Sequence, residues 1–193
     1  MKTKILTVLL LILSVFSPRE SQSQWIQTAG PYGGNITSFT ISGGTTLFSG
    51  TFSGSIFHST NNGANWIEAT GLNYNINTLV VASGSLFAGT YGNGIFRSTN
   101  NGTNWTASNS GITDNYVTSI IVSGSNLFAG TGGGVFRSTN NGDTWVAANS
   151  GITNNSIRAI IASCTTLYAG TYGTGVFRST NNGANWTAVN SGL

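Results

Sequence analysis

Charge is what this sequence has least of. Of its 193 residues only 6% are Asp, Glu, Lys or Arg, and there is one histidine and one cysteine. Three of the seven basic residues, Lys2, Lys4 and Arg19, lie at the amino terminus together with Glu20. The rest of the chain sets Arg97, Arg137, Arg158 and Arg178 against Glu68, Asp114 and Asp143, a net charge of +1. The basic pI therefore belongs largely to the first residues, and the dense Lys/Arg stripe that a phosphate backbone requires is missing. No nucleic-acid partner is expected. The lone Cys164 leaves no intramolecular disulfide, and it stands where other repeats have Ser83-Gly84 and Ser123-Gly124, so it reads as a turn residue. A thiol or serine nucleophile needs a positioned base, and His58 is the only histidine. A glycosidase of the usual kind needs two carboxylates flanking the scissile bond. Of the three acids outside the amino terminus, only Asp114 falls in a plausible ligand-facing loop. No His, Cys or acid cluster has metal-ligand spacing. No catalytic residues, metal or cofactor are expected, and the chain does not read as an enzyme.

Long hydrophobic runs are scarce too. The single candidate, Ile5 to Phe16, follows Lys2 and Lys4 and precedes the polar Ser17 to Gln24. A basic start, a short apolar stretch and a small-residue cleavage site at Ser21-Gln22-Ser23 describe a secretory signal peptide over 1–23, too short for a comfortable membrane span. The mature chain, 24–193, is expected to be secreted, periplasmic or displayed at the cell surface, with no membrane span once the signal is removed.

What is abundant is Gly, Asn, Ser and Thr, arranged in one repeated stretch. Ser-Thr-Asn-Asn-Gly-x-x-Trp runs from Ser59 to Trp66, Ser98 to Trp105, Ser138 to Trp145 and Ser179 to Trp186. The Trp-to-Trp steps are 39, 40 and 41 residues. A period near 40 with a turn motif and flanking apolar residues marks a repeat architecture. Each unit carries four short strand candidates: an alternating run (Ile36 to Ile41, Ile76 to Val81, Val117 to Val122, Ile157 to Ile161), a Leu-aromatic pair leading into Gly-Thr, an apolar-Phe-x-Ser-Thr run, and a strand beginning at the Trp. Short strands separated by Gly, Asn and Ser clusters read as consecutive antiparallel pairs. The expected fold is all-β: a β-propeller of four-stranded antiparallel blades over approximately 35–70, 75–109, 116–149 and 156–190.

In the Asn-Asn-Gly turn, Gly supplies a positive φ without steric cost, and the Asn side chains accept backbone hydrogen bonds. The Trp is expected to pack against a neighbouring unit. These residues resemble the Asp-box, or BNR, repeat, whose usual form is Ser-x-Asp-x-Gly-x-Thr-Trp between a blade's third and fourth strands. Asn61, Asn100, Asn140 and Asn181 take the place of the Asp, Gly63, Gly102, Gly142 and Gly183 match, and only Thr144 matches the Thr. The resemblance covers essentially the whole chain after residue 23 and implies a propeller. It occurs in sialidases, sortilin-type receptors, xyloglucanases and photosystem assembly factors, so it implies no single activity.

The ends bear on ring closure. Trp25-Ile26-Gln27-Thr28 resembles an extra leading fourth strand, while the last unit already has its own in Trp186 to Val189. The expectation is an incomplete or open ring, able to self-associate through open blade edges.

Strand alternation puts the Asn-Asn-Gly turns on one face. The loops between second and third strands, and the crossovers between blades, fall on the other. That second face gathers Tyr32, Phe52, Tyr74, Tyr91, Asp114, Tyr116 and Tyr172, and Arg158 enters from a first strand where Thr37, Asn77 and Thr118 occupy the matching place. Singly each Tyr reads as a wedge between blades with its hydroxyl wet; together they form the candidate binding face for a carbohydrate or protein partner. Arg97, Arg137 and Arg178 recur on third strands with His58 in the first unit, and read as structural rather than as an anion ring. The leading functional reading is a non-catalytic binding or scaffolding module. The alternatives are a fragment of a propeller glycoside hydrolase that lacks its catalytic residues, and an assembly factor.

Overall fold

In the computed structural model, which describes residues 30, 34–69 and 71–193, sixteen strands form four separate four-stranded antiparallel sheets. The first blade is β1 (Ile36–Ser42), β2 (Thr46–Thr51), β3 (Ile56–Ser59) and β4 (Ile67–Ala69). The second is β5 (Ile76–Ala82), β6 (Ser85–Thr90), β7 (Ile95–Ser98) and β8 (Thr106–Ala107). The third is β9 (Val117–Ser123), β10 (Asn126–Thr131), β11 (Gly134–Ser138) and β12 (Val146–Ala147). The fourth is β13 (Ile157–Ser163), β14 (Thr166–Thr171), β15 (Gly175–Ser179) and β16 (Thr187–Ala188). Each sheet runs in sequence order, so every connection within a blade is a hairpin. The first strands β1, β5, β9 and β13 pack one on the next, which makes the molecule a propeller arc of four blades. The signal segment 1–23, the leading strand 25–28 and Tyr32 lie outside the described residues.

The Trp residues precede their fourth strands rather than opening them, and in the last two blades this is because the Trp peptide N–H bonds elsewhere. Trp145 N donates to Ser110 O and Trp186 N to Ser150 O, both at 2.8 Å, in the segment that leaves the preceding blade.

The core lies between blades, in three layers of the same build. In the middle one, Phe87 and Ile95 of the second blade meet Val117, Ile120, Leu127, Phe136 and Trp145 of the third. The flanking layers repeat this with Phe48 and Ile56 against Ile76 and Leu79, and with Phe128 and Val135 against Ile157, Ile160 and Trp186. A sheet with one face turned to each neighbour needs apolar residues on both, and the second strands supply them: Leu86 turns to the first blade and Phe87 to the third, Leu127 to the second and Phe128 to the fourth.

The repeated turn is held by its own side chains. Ser59 Oγ accepts from Gly63 N at 2.9 Å and donates to Asn61 Oδ1 at 2.9 Å, and Asn61 Oδ1 also accepts from Asn65 N at 2.9 Å. The other three copies repeat the pattern. Glycine is not alone in the left-handed region: Asn62, Asn101, Asn141 and Asn182 have φ of +55 to +56°, next to Gly63 at +83°. Asn is among the few residues that tolerate this conformation, which explains an Asn-Asn-Gly sequence where one Gly seemed enough.

Cys164 sits exposed in the β13–β14 turn with φ of +54°. Cys164→Gly should stabilise by up to about 1 kcal/mol, since left-handed strain of roughly 1–2 kcal/mol outweighs glycine's added backbone freedom of roughly 0.5–1 kcal/mol. A lower midpoint in thermal denaturation would contradict this.

Candidate functional site

The face opposite the boxes is built by loops that clamp themselves. Where each second strand ends in Gly-Thr, the Thr hydroxyl turns back on the loop that follows. Thr51 donates to Ser55 O at 3.0 Å, Thr90 to Gly94 O at 2.7 Å, Thr131 to Gly134 O at 3.0 Å and Thr171 to Gly175 O at 2.9 Å. These loops then bond the crossovers: Phe52 N to Asn35 O and Tyr91 N to Asn75 O at 2.9 Å, Gly132 N to Tyr116 O at 3.0 Å, and Tyr172 N to Ser156 O at 2.9 Å. Loop and crossover are thus one surface, as strand alternation predicts, and each aromatic stands on a backbone fixed at both ends.

Tyr91 is 56% exposed and Tyr172 66% exposed, and Phe52 and Tyr74 are also open to solvent. Tyr91 meets the half-buried Tyr116 edge-on, with ring centroids 4.6 Å apart and planes at 79°. Tyr74 stacks on Phe96 at 5.4 Å. Arg158 lays its guanidinium over the Tyr172 ring at 4.9 Å. Both are exposed, so this cation–π pair presents a flat charged-aromatic surface to solvent. The structure brings Tyr91 to Tyr116 and Arg158 to Tyr172; Phe52 and Tyr74 stand on the loops of the first two blades.

Asp114 is occupied within its own turn. Its Oδ1 accepts from Tyr116 N at 2.8 Å, and its side chain covers Gly133, where an added Cβ would come within 2.8 Å of Asp114 Cβ. Asn154 does the same in the next crossover, accepting from Ser156 N at 2.9 Å and donating to Tyr172 O at 2.6 Å. The other acids among the described residues are apart from this face: Asp143 pairs with Arg97 at 2.7 Å in the repeated turn of the third blade, and Glu68 lies on β4. Among the described residues no group of three or more His, Cys, Asp or Glu is placed to hold a metal ion.

Three sets of residues have roles that the sequence did not reveal. Thr37, Asn77 and Thr118, at the place matched by Arg158, latch neighbouring blades: they donate to Ile76 O at 2.6 Å, Val117 O at 2.8 Å and Ile157 O at 3.0 Å. Arg97 and Arg137 latch the outer rim, reaching Asp143 and, at 3.1 Å, Asn182 O. Asn109, Asn149 and Asn190 accept through Oδ1 from Ile95 N, Val135 N and Val176 N at 2.6, 2.6 and 2.7 Å. The last set had a signal in the sequence, since Asn-Ser-Gly recurs at 109–111, 149–151 and 190–192.

A family model described as DUF6242 beta propeller domain matches residues 95–193, just over half of the chain. Among solved structures, the chain is similar to the computationally designed Ika4 protein at 13% identity and a TM-score of 0.64, covering 79% of this chain and 94% of that one. YCF48 from Cyanidioschyzon merolae matches at 16% identity and a TM-score of 0.67, covering 84% of this chain and 58% of that one. YCF48 bound to D1 peptide matches at 17% identity and a TM-score of 0.58, covering 79% and 52%. The GH74 enzyme of Niastella koreensis matches at 19% identity and a TM-score of 0.63, covering 80% of this chain but 24% of that one. These likenesses concern the fold, and the chain spans only a minor part of the GH74 enzyme. No curated protein sequence matches significantly.

Proposed function

The chain belongs to the DUF6242 beta propeller domain family, and from that premise we propose that it is a secreted, non-catalytic binding or scaffolding module. The amino-terminal sequence, with its basic start and short apolar stretch, supports export to the periplasm, the cell surface or the medium. The observation that carries the reading is the exposed aromatic surface of Tyr91–Tyr116 and Arg158–Tyr172 on self-clamped loops. Rigid aromatics with adaptable Asn and Thr around them suit stacking on a sugar ring or a peptide. A peptide is favoured by one specific comparison, the similarity to YCF48 bound to D1 peptide; a carbohydrate chain is the second reading, supported by the GH74 similarity. The acids support a non-catalytic role, because Asp114 and Asp143 are each bonded within the fold.

Titration of the purified protein with an unstructured peptide library and with glucan oligosaccharides tests this. Tyr172→Ala is expected to weaken binding by about tenfold, the loss of one aromatic stacking contact of roughly 1–1.5 kcal/mol. No hydrolysis of sialosides or glucans is expected. Asp114→Asn is a clean control, since Asn154 already fills the equivalent turn. Turnover that disappears in Asp114→Asn would overturn the reading.

A further inference from the structure

The three junctions between blades share one apolar build, although in the first Trp105 Nε1 donates to Gly102 O of its own turn at 3.1 Å, and each end of the arc carries one unmatched half of that build. At every junction a second-strand glycine leaves a hollow that the next blade fills. A Cβ on Gly50 would lie 2.7 Å from Ile76 Cγ2, on Gly89 2.6 Å from Val117 Cγ1, and on Gly130 2.7 Å from Ile157 Cγ2. The fourth such glycine, Gly170, has nothing nearer than Ala159 O at 3.9 Å. Beside it Ile161 is 61% exposed, and Tyr168 stands half-buried at the place of the fully buried Phe48, Phe87 and Phe128. At the other end, Phe39 and Ile41 of β1 are 60% and 57% exposed, at the places that Leu79 and Val81 fill within the first junction.

The polar latches are unmatched in the same way. Trp145 Nε1 donates to Ser108 O at 2.9 Å and Trp186 Nε1 to Ala148 O at 2.8 Å, each in the preceding blade. Trp66 Nε1, in the first blade, is buried with no acceptor. The carbonyl in register with Ser108 and Ala148 at the far end is that of Val189. The inner latch of the fourth blade is Arg158 and the outer one is Arg178; both are exposed, and neither reaches another blade among the described residues.

We propose that the chain associates head to tail with a second copy of itself, β1 of one copy docking on the trailing face of the other copy's fourth blade. Ile36 enters the hollow over Gly170, Trp66 Nε1 donates to the Val189 carbonyl, and Arg178 reaches the Asn62 carbonyl, while Arg158 keeps its place over Tyr172. The contact is heterologous, so its two sides are different surfaces, and the assembly closes into a ring or grows according to the rotation per copy. A second copy is the occupant because its ends present what the internal junctions use: a branched aliphatic for the glycine hollow, and a donor for each open carbonyl.

Sedimentation of the purified protein over a concentration series tests this. The wild type is expected to exceed the mass of one chain. Phe39→Glu blocks the head and Gly170→Val the tail; both positions are open within one copy, and Gly170 has no left-handed φ. Each variant alone should associate at least about tenfold more weakly, because a charge or an added side chain is forced into an apolar contact. An equimolar mixture of the two, with one intact head and one intact tail, should regain the mass of two chains. Ile41→Glu and Ile161→Glu provide a second pair if either first variant fails to fold, as read by circular dichroism. A wild type that stays at one chain mass overturns the proposal. A mixture that fails to restore the two-chain mass also overturns it, because a symmetric contact cannot be rescued by pairing opposite defects.

Discussion

Trp145→Ala should lower the free energy of unfolding by about 3–5 kcal/mol, the cost of removing a large buried aromatic. Trp145 is 3% exposed and sits in the layer that joins the second and third blades. Its Nε1 donates to Ser108 O at 2.9 Å, so the truncation also strips a buried carbonyl of its partner. For a protein of this size each kcal/mol moves the midpoint by about 2–4 °C, so the loss should be plain in a thermal or denaturant melt. Trp145→Phe separates the two contributions: the ring volume largely remains, and the lost hydrogen bond should cost about 1–3 kcal/mol. Trp66→Ala, at the same place in the first box, should cost less than Trp145→Ala. Its ring is only half-buried and its N–H has no acceptor to lose. Equal losses for Trp66 and Trp145 would mean that the boxes stabilise their own turns rather than the junctions between blades.

The contrast shows where sequence reasoning reaches. The box was legible because its bonds are local: Ser59 to Gly63 and Asn61 to Asn65 close within five residues, and four copies in register repeat the pattern. Four-stranded blades followed from the same spacing, and hairpin alternation alone put the aromatic loops and crossovers on one face. The junction chemistry was not legible, because its partners lie a full repeat apart. Thr37 finds Ile76 O 39 residues away and Arg97 finds Asp143 46 residues away. Nothing in the local pattern distinguishes such an Arg from a solvated one. Arg158 shows the same limit: its place in the repeat is a latch, yet its guanidinium lies over the Tyr172 ring of its own blade. Asn109 is an intermediate case. Its bond to Ile95 N spans 14 residues, yet the recurrence of Asn-Ser-Gly marks it as a fixed element of each blade's exit.

That exit segment is the ground for the second large effect, expected for Gly111→Ala. Gly111 has φ of +91°, and a Cβ added there would collide with the carbonyl oxygen of Trp145. The obstacle is backbone, and that backbone is held, since Trp145 N donates to Ser110 O at 2.8 Å and the Trp145 ring is locked in the core. Left-handed strain of about 1–2 kcal/mol and an unrelieved overlap of about 1–3 kcal/mol should together cost about 2–5 kcal/mol. Gly92→Ala supplies the comparison. Its φ is +89°, but nothing lies within 4 Å of the added Cβ, so only the conformational part, about 1–2 kcal/mol, should appear. The two substitutions share a backbone geometry and differ in what they meet, so their difference in a denaturant melt measures how rigidly one blade's exit holds the next blade's Trp. If Gly111→Ala is no worse than Gly92→Ala, the Asn-Ser-Gly segment yields and the junction is not rigid there. If it is worse, combining it with Trp145→Ala should give less than the sum of the two losses. Once the ring no longer anchors that backbone, the carbonyl is free to move aside.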